Sequence, residues 1–166
     1  MALESYKAKH ANAPSELFIH GQAAFNRDEW AGFTDAVPTE TRIVGVMIRD
    51  NKDLKLFRKS NNPILRGMAY IQDERRAFLW TRGWTPRLET YPGLEVPNPL
   101  TIEICRGTAD IQVVLADILA LTKLNYNTCV FGDGKPITLK FASAVGEVLT
   151  AGPIKGVPPL PFMYYI

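Results

Sequence analysis

The sequence has few of the residues that build metal centres, disulfide frameworks or membrane spans. It contains two cysteines and two histidines in 166 residues, and Cys105 and Cys129 lack the short spacing of a metal-binding pair. Free thiols in a reducing cytosol are therefore the expected state of both cysteines. No window approaches the ~18 consecutive apolar residues of a membrane-spanning helix, and the first residues lack the apolar stretch of a secretory signal. We thus expect a cytoplasmic protein with no membrane partner.

The chain also lacks a strong excess of either charge. It carries 19 Lys and Arg against 17 Asp and Glu, which leaves a net charge of +2. This net positive charge is too small for a protein that binds DNA by charge alone. It neither requires nor excludes a nucleic acid partner. With 46% hydrophobic and 22% charged residues, the composition is that of an ordinary globular protein. The length suits one domain with a hydrophobic core.

Apolar patterning predicts that helices and strands alternate along most of the chain. Short runs rich in apolar residues predict strands at 17–20, 42–49, 54–59, 67–71, 76–81 and 100–105. The second and third of these strands, and the fourth and fifth, are predicted to form hairpins about polar turns. Helices are predicted at 2–12 and after three N-terminal caps, Asn26, Thr108 and Thr138. This order predicts an α/β layer fold with a mixed sheet.

The end of the third predicted helix and the loop after it carry the best group of phosphate donors. Lys123, Asn125 and Asn127 could present an ammonium group and two amides to consecutive phosphates of a nucleic acid strand. The alternative is structural, because Lys123 would complement the negative end of its own helix and the asparagines would cap that helix. The residues alone leave these two interpretations evenly balanced.

Other cations lie beside turns or helix starts. Arg66 precedes a glycine, which permits close approach of the backbone to a ligand. Arg106 precedes the N-terminus of the third predicted helix, where free N–H groups could hold an anion. Lys135 and Lys140 flank the start of the last predicted helix and could add positive charge there. A solvated side chain is the alternative interpretation for each arginine, and the charges of Arg58, Lys59, Arg75 and Arg76 are expected to be exposed on hairpins.

The aromatic and histidine residues give no clear catalytic group. Trp80 and Trp84 could stack on bases, but packing in the core or a loop is favoured for both. His20 lies at the end of a predicted strand, where a lone histidine is more often structural, and no Ser or Cys is placed to form a triad with it. His10 lies in a polar segment and is expected to be exposed. No catalytic residue is therefore assigned.

Several segments resemble, in the same order, the C-terminal half of the PIWI domain of prokaryotic-type Argonautes. They are ELFIHGQAAFNRDEWAGF, RIVGVMIRDNKDLKLFR, NPILRGMAYI with RRAFLWTRGW, NPLTIEI with DIQVVLADILALTKLNYNT, PITLKFASAVGEVL and PFMYYI. The match covers about residues 16–166 of a single domain, 1–166, in which 1–15 would be a leading helix and linker. The resemblance implies an α/β, partial ribonuclease H-like PIWI fold with a mixed β-sheet flanked by helices. The strands of the first half of that fold are not in this sequence, so an open sheet edge is expected.

The resemblance assigns two metal ligands of the PIWI nuclease to positions that hold no acid here. An Asp after the first matched strand corresponds to Gly21, and a His or Asp of the last helix corresponds to about Ser143. Neither residue can replace a carboxylate as a Mg²⁺ ligand, and two-metal cleavage depends on such ligands. Asp28 and Glu29 are the acids nearest to Gly21, but they belong to the first turn of a predicted helix. The resemblance therefore implies a module that does not cleave.

The C-terminus has a further role by resemblance. In PIWI proteins the final carboxylate lies in the pocket for the guide's 5′ phosphate, often with a shared divalent cation. The carboxylate of Ile166 would do this here, with Mg²⁺ or another divalent cation bridging two anions that otherwise repel. The alternative is that the apolar end simply covers core.

The resemblance also implies the partners. These would be a guide RNA or DNA, its complementary target, and the remaining half of the PIWI domain or a MID-containing segment. The role would be guide-dependent silencing in prokaryotic defence. Two alternatives stay open: a metal-dependent, guide-directed nuclease completed by the missing half of the fold, and a docking module for a separate effector protein, such as an NAD-consuming one.

Overall fold

A computed structural model describes residues 2–89, 95–124 and 134–150 of the protein. The elements in chain order are α1 Ala2–His10, β1 Glu16–Gly21, α2 Arg27–Asp35, β2 Arg42–Asp50, β3 Ala69–Ile71, β4 Arg76–Leu79, a 3₁₀ turn at Pro86–Leu88, β5 Leu100–Arg106, α3 Ile111–Leu121 and α4 Ile137–Thr150. None of the helices in these ranges is long and apolar enough to cross a membrane.

The strands form one mixed sheet in the order β1-β2-β5-β4-β3. β1 and β2 are parallel, and α2 lies in the connection that parallel neighbours need. The other neighbouring strands are antiparallel. Within the described ranges, β1 and β3 each pair on one side only, so they are the edges of the sheet. The predicted α/β fold with a mixed sheet is confirmed.

The chain divides into two compact units. The first unit, Met1–Leu115, contains the whole sheet, α1, α2 and the start of α3. The second unit, Ala116–Ile166, contains the rest of α3 and α4. The single-domain organisation expected from the sequence stays a prediction.

One face of the sheet is lined by aliphatic side chains that form the core of the first unit. Val44, Val46 and Ile48 of β2 are at most 1% exposed, and because side chains alternate along a strand they share one face. β4 and β5 add the buried residues Ala77, Leu79, Leu100, Ile102 and Ile104. Burying each Val, Leu or Ile side chain of this layer contributes roughly 1.5–3 kcal/mol, so the layer supplies much of the free energy that orders the sheet.

A β-bulge near the end of β5 places Arg106 beside Gly45. Gly45 pairs with Arg106, whereas the next residue of β2 pairs with Ile104, so Cys105 is the extra residue of the bulge. The Cys105 thiol donates a hydrogen bond to the Gly45 carbonyl, with 3.3 Å between Sγ and O. A Cβ on Gly45 would lie 2.9 Å from the Cβ of Arg106. The bulge and the glycine together let the arginine lie against β2.

A small aromatic cluster attaches α2 to the sheet. The ring of Phe25 lies 5.9 Å from the ring of Trp30 and 5.7 Å from that of Phe33, measured between centroids. A Cβ on Gly45 would lie 3.0 Å from atoms of both Phe25 and Trp30, so the missing side chain lets these rings approach β2. No residue of α2 itself is buried. The helix therefore depends on this cluster and on its own cap.

Two local predictions are confirmed by hydrogen bonds. Asn26 caps α2, since its Oδ1 accepts from the N–H of Glu29 and the Glu29 carboxylate accepts from the N–H of Asn26, both at 2.9 Å. The turn between β3 and β4 is also as predicted. The Asp73 carboxylate accepts from the N–H groups of Arg75 and Arg76 at 2.8 Å each and fixes that turn.

The predicted caps of the later helices are wrong. At the start of α3, the carboxylate of Asp110 accepts from the N–H of Gln112 at 2.8 Å, while Thr108 lies two residues upstream and is exposed. An ionised carboxylate complements the positive end of a helix better than a hydroxyl does. Thr138 is already inside α4, where the N–H groups of Leu139 and Lys140 donate to the carbonyl of Pro136.

The predicted return strand at 54–59 is also wrong. Residues 51–63 form an irregular connection without strand pairing. β2 pairs with β1 on one side and β5 on the other, so no place remains beside it for a hairpin partner. The alternation of Leu54 and Leu56 resembles a strand locally, but the distant β5 takes the pairing position.

Candidate nucleic-acid interface

Arg66 lies where residues 64–68 cross residues 80–84, which we term the loop crossing. The N–H of Trp84 donates to the carbonyl of Ile64 at 2.8 Å, and the N–H of Arg66 donates to the carbonyl of Trp84 at 3.0 Å. Gly83 has a φ of +148°, and a Cβ there would lie 2.4 Å from the Ile64 carbonyl oxygen. Only glycine allows the two segments to cross this closely.

The side chain of Arg66 is half-buried at the loop crossing. Desolvation by burial lowers the pKa of its guanidinium below its ordinary value. A cation that has lost part of its water gains more from a nearby anion than a fully hydrated one, because less solvent screens the attraction. A phosphate beside Arg66 would therefore offset a cost that folding has imposed.

Arg106 makes a contact that the sequence did not predict. Its Nη2 donates to the carbonyl of Phe25 at 3.0 Å and ties the segment before α2 to the end of β5. A guanidinium has five N–H donors, so this bond leaves donors for a ligand. Arg106 and the loop crossing are not close, because the crossing follows the Leu79–Leu100 pair at the opposite end of β5. Those ends are about 20 Å apart along the strand.

Lys123 lies in the turn that ends α3. Its N–H donates to the carbonyl of Ala120 at 2.9 Å, and the buried Thr122 hydroxyl donates to the carbonyl of Leu119 at 2.6 Å. These bonds close the helix at Leu121. The side chain of Lys123 is exposed and is available to a ligand.

The remaining predicted cations of the second unit lie at the start of α4. Lys135 and Lys140 are both half-buried and flank the first turn, as predicted. Arg66 and Arg106 belong to the first compact unit, whereas Lys123, Lys135 and Lys140 belong to the second. Asn125, Asn127, Cys129 and Ile166 lie outside the described residues, and what was expected of them stays a prediction.

The tryptophans and His10 have structural surroundings. Trp80 is 1% exposed and its indole N–H donates to the carbonyl of Pro97 at 3.2 Å, so packing in the core is confirmed and no face is open to a base. Trp84 is half-buried and holds the loop crossing through its backbone. His10 is exposed, as predicted, and stacks on Tyr6 with centroids 4.4 Å apart.

The position where the resemblance expects an acid is crowded by a ring. A Cβ on Gly21 would lie 3.0 Å from Cζ of Phe25 and 3.1 Å from the carbonyl oxygen of Ala23. Glu29 is engaged in the cap of α2, and Asp28 is exposed in the first turn, as predicted. Across residues 2–89, 95–124 and 134–150, no group of three or more His, Cys, Asp or Glu could hold a metal ion. A two-metal nuclease centre depends on such a group of ligands.

Solved structures similar to this chain include prokaryotic Argonautes. Clostridium butyricum Argonaute, bound to a guide DNA with a 5′ deoxycytidine and a 19-mer target DNA, matches 94% of the chain with a TM-score of 0.68 and 25% identity. Aa-Ago with externally bound siRNA matches 99% with a TM-score of 0.67 and 19% identity. Marinitoga piezophila Argonaute with a 5′ OH guide RNA matches 88% with a TM-score of 0.63 and 16% identity. No family model and no curated protein sequence matches the chain.

These similarities define the class of fold. The mixed five-stranded sheet and its helices are consistent with a partial ribonuclease H-like PIWI fold. The chain spans about a fifth of each Argonaute that it matches: 20%, 22% and 21% of the three chains in the order given above. It has the fold of a segment found within Argonautes.

Proposed function

We propose that this chain is a PIWI-type module of an Argonaute that binds a guide strand and holds its phosphates and 5′ end for pairing with a target. The observation that carries this proposal is the match over 94% of the chain to an Argonaute bound to guide and target DNA. The partners are a guide, a complementary target and the rest of the Argonaute. Base pairing supplies the sequence specificity, and the setting is guide-dependent silencing in prokaryotic defence.

We assign the phosphate contacts to cations that lie at turns and helix ends. Lys123 presents an exposed ammonium group at the end of α3, and Arg66 presents a partly desolvated guanidinium at the loop crossing. Lys135, Lys140 and Arg106 add charge, and Asn125 and Asn127 add amide donors. Contacts of this kind fix the path of a backbone without reading bases.

We also propose that the module does not cleave. The support is the crowding of Gly21 by the Phe25 ring and the absence of a metal-holding cluster from the described residues. Ser143, at the second position where the resemblance expects a ligand, is exposed on α4. Divalent metals, which Argonautes generally use, would act here at the guide's 5′ phosphate through the carboxylate of Ile166.

A binding titration tests guide recognition. Oligonucleotides of RNA and DNA, each with a 5′ phosphate or a 5′ hydroxyl, are titrated at two salt concentrations with and without Mg²⁺. We expect tighter binding of the 5′-phosphorylated strands and a fall in affinity with salt. Lys123→Ala should reduce the slope of log affinity against log salt by about 0.7, the value for one phosphate contact on a single strand.

The matched control is Lys7→Ala, which removes an exposed lysine from α1. It should leave the salt slope unchanged. If the parent chain binds none of the strands, or binds them with no salt dependence, guide binding by this chain is refuted.

Two further measurements test the 5′ pocket and the lack of cleavage. A C-terminal tag should weaken binding of 5′-phosphorylated strands and leave 5′-hydroxyl strands unaffected; equal binding would remove Ile166 from the proposal. With a guide, a matched target and Mg²⁺ or Mn²⁺, we expect no cleavage. Metal-dependent cleavage that disappears in Asp28→Asn would favour the nuclease alternative.

The docking alternative has one observation in its favour. The edge strand β3 is exposed along its length, with Tyr70 at 56% and Ile71 at 40%. Exposed edge strands with apolar side chains can pair with a strand of another protein. Hydrogen exchange of the β3 amides distinguishes guide binding from docking at this edge. If the amides are protected when the guide binds, the edge belongs to the nucleic acid complex. If they are protected only when a purified effector protein is added, the edge is a docking site.

A further inference from the structure

The connection from β2 to β3 carries an exposed aromatic ring among cations. Residues 51–59 read NKDLKLFRK, which we term the basic loop. Phe57 is 74% exposed, more than any other large apolar side chain in the described parts of the chain. A phenylalanine this exposed is unusual, because water disfavours a free apolar ring.

The root of the basic loop is fixed to the sheet. The side-chain oxygen of Asn51 accepts hydrogen bonds from the N–H groups of Asp53 and Leu54, at 2.9 Å each. The side-chain amide group of Asn51 donates to the Thr101 hydroxyl at 3.0 Å. The ammonium group of Lys55 donates to the carbonyl of Val96 at 3.1 Å. Phe57 is therefore presented from an anchored turn.

The charge of the basic loop is strongly positive. Four cations, Lys52, Lys55, Arg58 and Lys59, stand against one carboxylate, Asp53, which leaves +3 in a chain whose total is +2. The side chains of Arg58 and Lys59 are exposed and make no ion pair or hydrogen bond to the described residues. Both charges are thus available to an anionic partner.

We propose that the basic loop is a stacking contact for single-stranded nucleic acid, in which Phe57 packs on a base and Arg58 and Lys59 contact the flanking phosphates. The proposal rests on the proposed function and adds a base contact to it, in the first compact unit. A purely apolar partner would leave the +3 charge unmatched, and a purely acidic one would leave the ring in water. A nucleic acid strand supplies an aromatic face and phosphates at once.

The test separates stacking from charge. The parent chain and Phe57→Ala are titrated by fluorescence anisotropy with a 5′-hydroxyl DNA strand and with an abasic strand of the same length. We expect Phe57→Ala to weaken binding of the base-bearing strand about 5- to 150-fold, the range for loss of one aromatic–base stack. Binding of the abasic strand should not change.

Three variants control this experiment. Phe57→Trp should retain the affinity, because indole stacks at least as well as benzyl. Leu88→Ala removes another exposed apolar side chain of the same unit, 52% exposed, and should have no effect. The double variant Arg58→Ala/Lys59→Ala should lower the salt slope by about 1.4, the value for two phosphate contacts.

The outcomes distinguish this inference from the proposed function. If Phe57→Ala binds both strands like the parent, or loses affinity equally for both, stacking by Phe57 is refuted even when 5′-phosphorylated guides bind normally. Failure of Phe57→Trp to retain affinity also refutes it. If the parent binds no strand at all, the proposed function fails, and the stacking contact fails with it.

Discussion

Replacing Gly83 with alanine gives the sharpest test of the loop crossing. The new Cβ would start 2.4 Å from the carbonyl oxygen of Ile64 and 2.9 Å from the amide nitrogen of Arg66. Both are backbone atoms, so a side-chain rotation cannot relieve the contact. The residue also has a φ of +148°, which L side chains rarely adopt.

The expected cost follows from these contacts. Backbone strain of this kind costs about 1–3 kcal/mol. Separating the two segments also weakens the hydrogen bonds that Trp84 makes with Ile64 and Arg66, each with a net contribution of about 0.5–1.5 kcal/mol. We therefore expect Gly83→Ala to lower the free energy of unfolding by about 2–5 kcal/mol, a large part of the ~5–15 kcal/mol typical of a domain.

Urea denaturation followed by tryptophan fluorescence measures this change. Gly32→Ala is the matched control, because Gly32 is exposed inside α2 and a Cβ there meets nothing within 4 Å. Alanine is the better helix former, so this variant should be more stable by about 0.5–1 kcal/mol. The same Gly→Ala substitution is thus expected to lower the free energy of unfolding at position 83 and to raise it at position 32.

A binding measurement extends the comparison to Arg66. Gly83→Ala should also weaken binding of a phosphorylated guide, since displacement of the crossing moves the guanidinium, whereas Gly32→Ala should not. If Gly83→Ala unfolds at the same urea concentration as the parent, the two segments do not cross as tightly as described. Arg66 would then not be held in place by the loop crossing.

Two further predictions concern local interactions. Asp110→Ala should lower the free energy of unfolding by about 1 kcal/mol through loss of the α3 cap, while Thr108→Ala should be neutral; the reverse order in urea denaturation would restore Thr108 as the cap. The hydrogen bond with Glu103, followed by its charge, raises the pKa of Arg76, and a raised basic pKa adds stability that is lost only as the pH rises through that higher value. Because water screens this partly exposed ion pair, Glu103→Gln should change the urea midpoint less than Asp110→Ala. The parent should show no pH dependence of stability from Arg76 near neutrality.

The elements predicted well are those determined by nearby residues. The capping box of Asn26 and Glu29 depends on residues three apart, and the Asp73 turn depends on residues two and three apart. The aliphatic strand β2 was also evident, because Val44, Val46 and Ile48 alternate in the sequence as they do in the core. Sequence patterns therefore identified these local elements.

The predictions that failed depended on distant partners. Leu54 and Leu56 alternate like a strand, but β5, about fifty residues further on, pairs with β2 in their place. For this reason the exposure of Phe57 could not be read from the sequence. The contact of Arg106 with Phe25 was missed in the same way, because it joins residues 81 apart and needs a bulge that has no local signature.

The sequence predicted which cations belong to the candidate site, but it did not predict how they are arranged in space. Arg66, Lys123, Lys135 and Lys140 could be selected because each adjoins a turn or a helix end. Nothing in the sequence indicated that Gly83 would hold Arg66 in place, since this depends on how two loop segments cross. The sequence therefore favoured an anionic ligand such as a phosphate, and the structure shows what holds Arg66 in place.

The contact between residue 21 and the Phe25 ring couples the two positions. A larger residue at 21 would press on the Phe25 ring, and that ring also packs with Trp30 and Phe33 and covers Gly45. A single substitution that introduced a carboxylate would meet the ring, and a single substitution that removed the ring would loosen α2 before anything was gained. Because residues 21 and 25 share this contact, the effects of substituting them on the free energy of unfolding should not be additive.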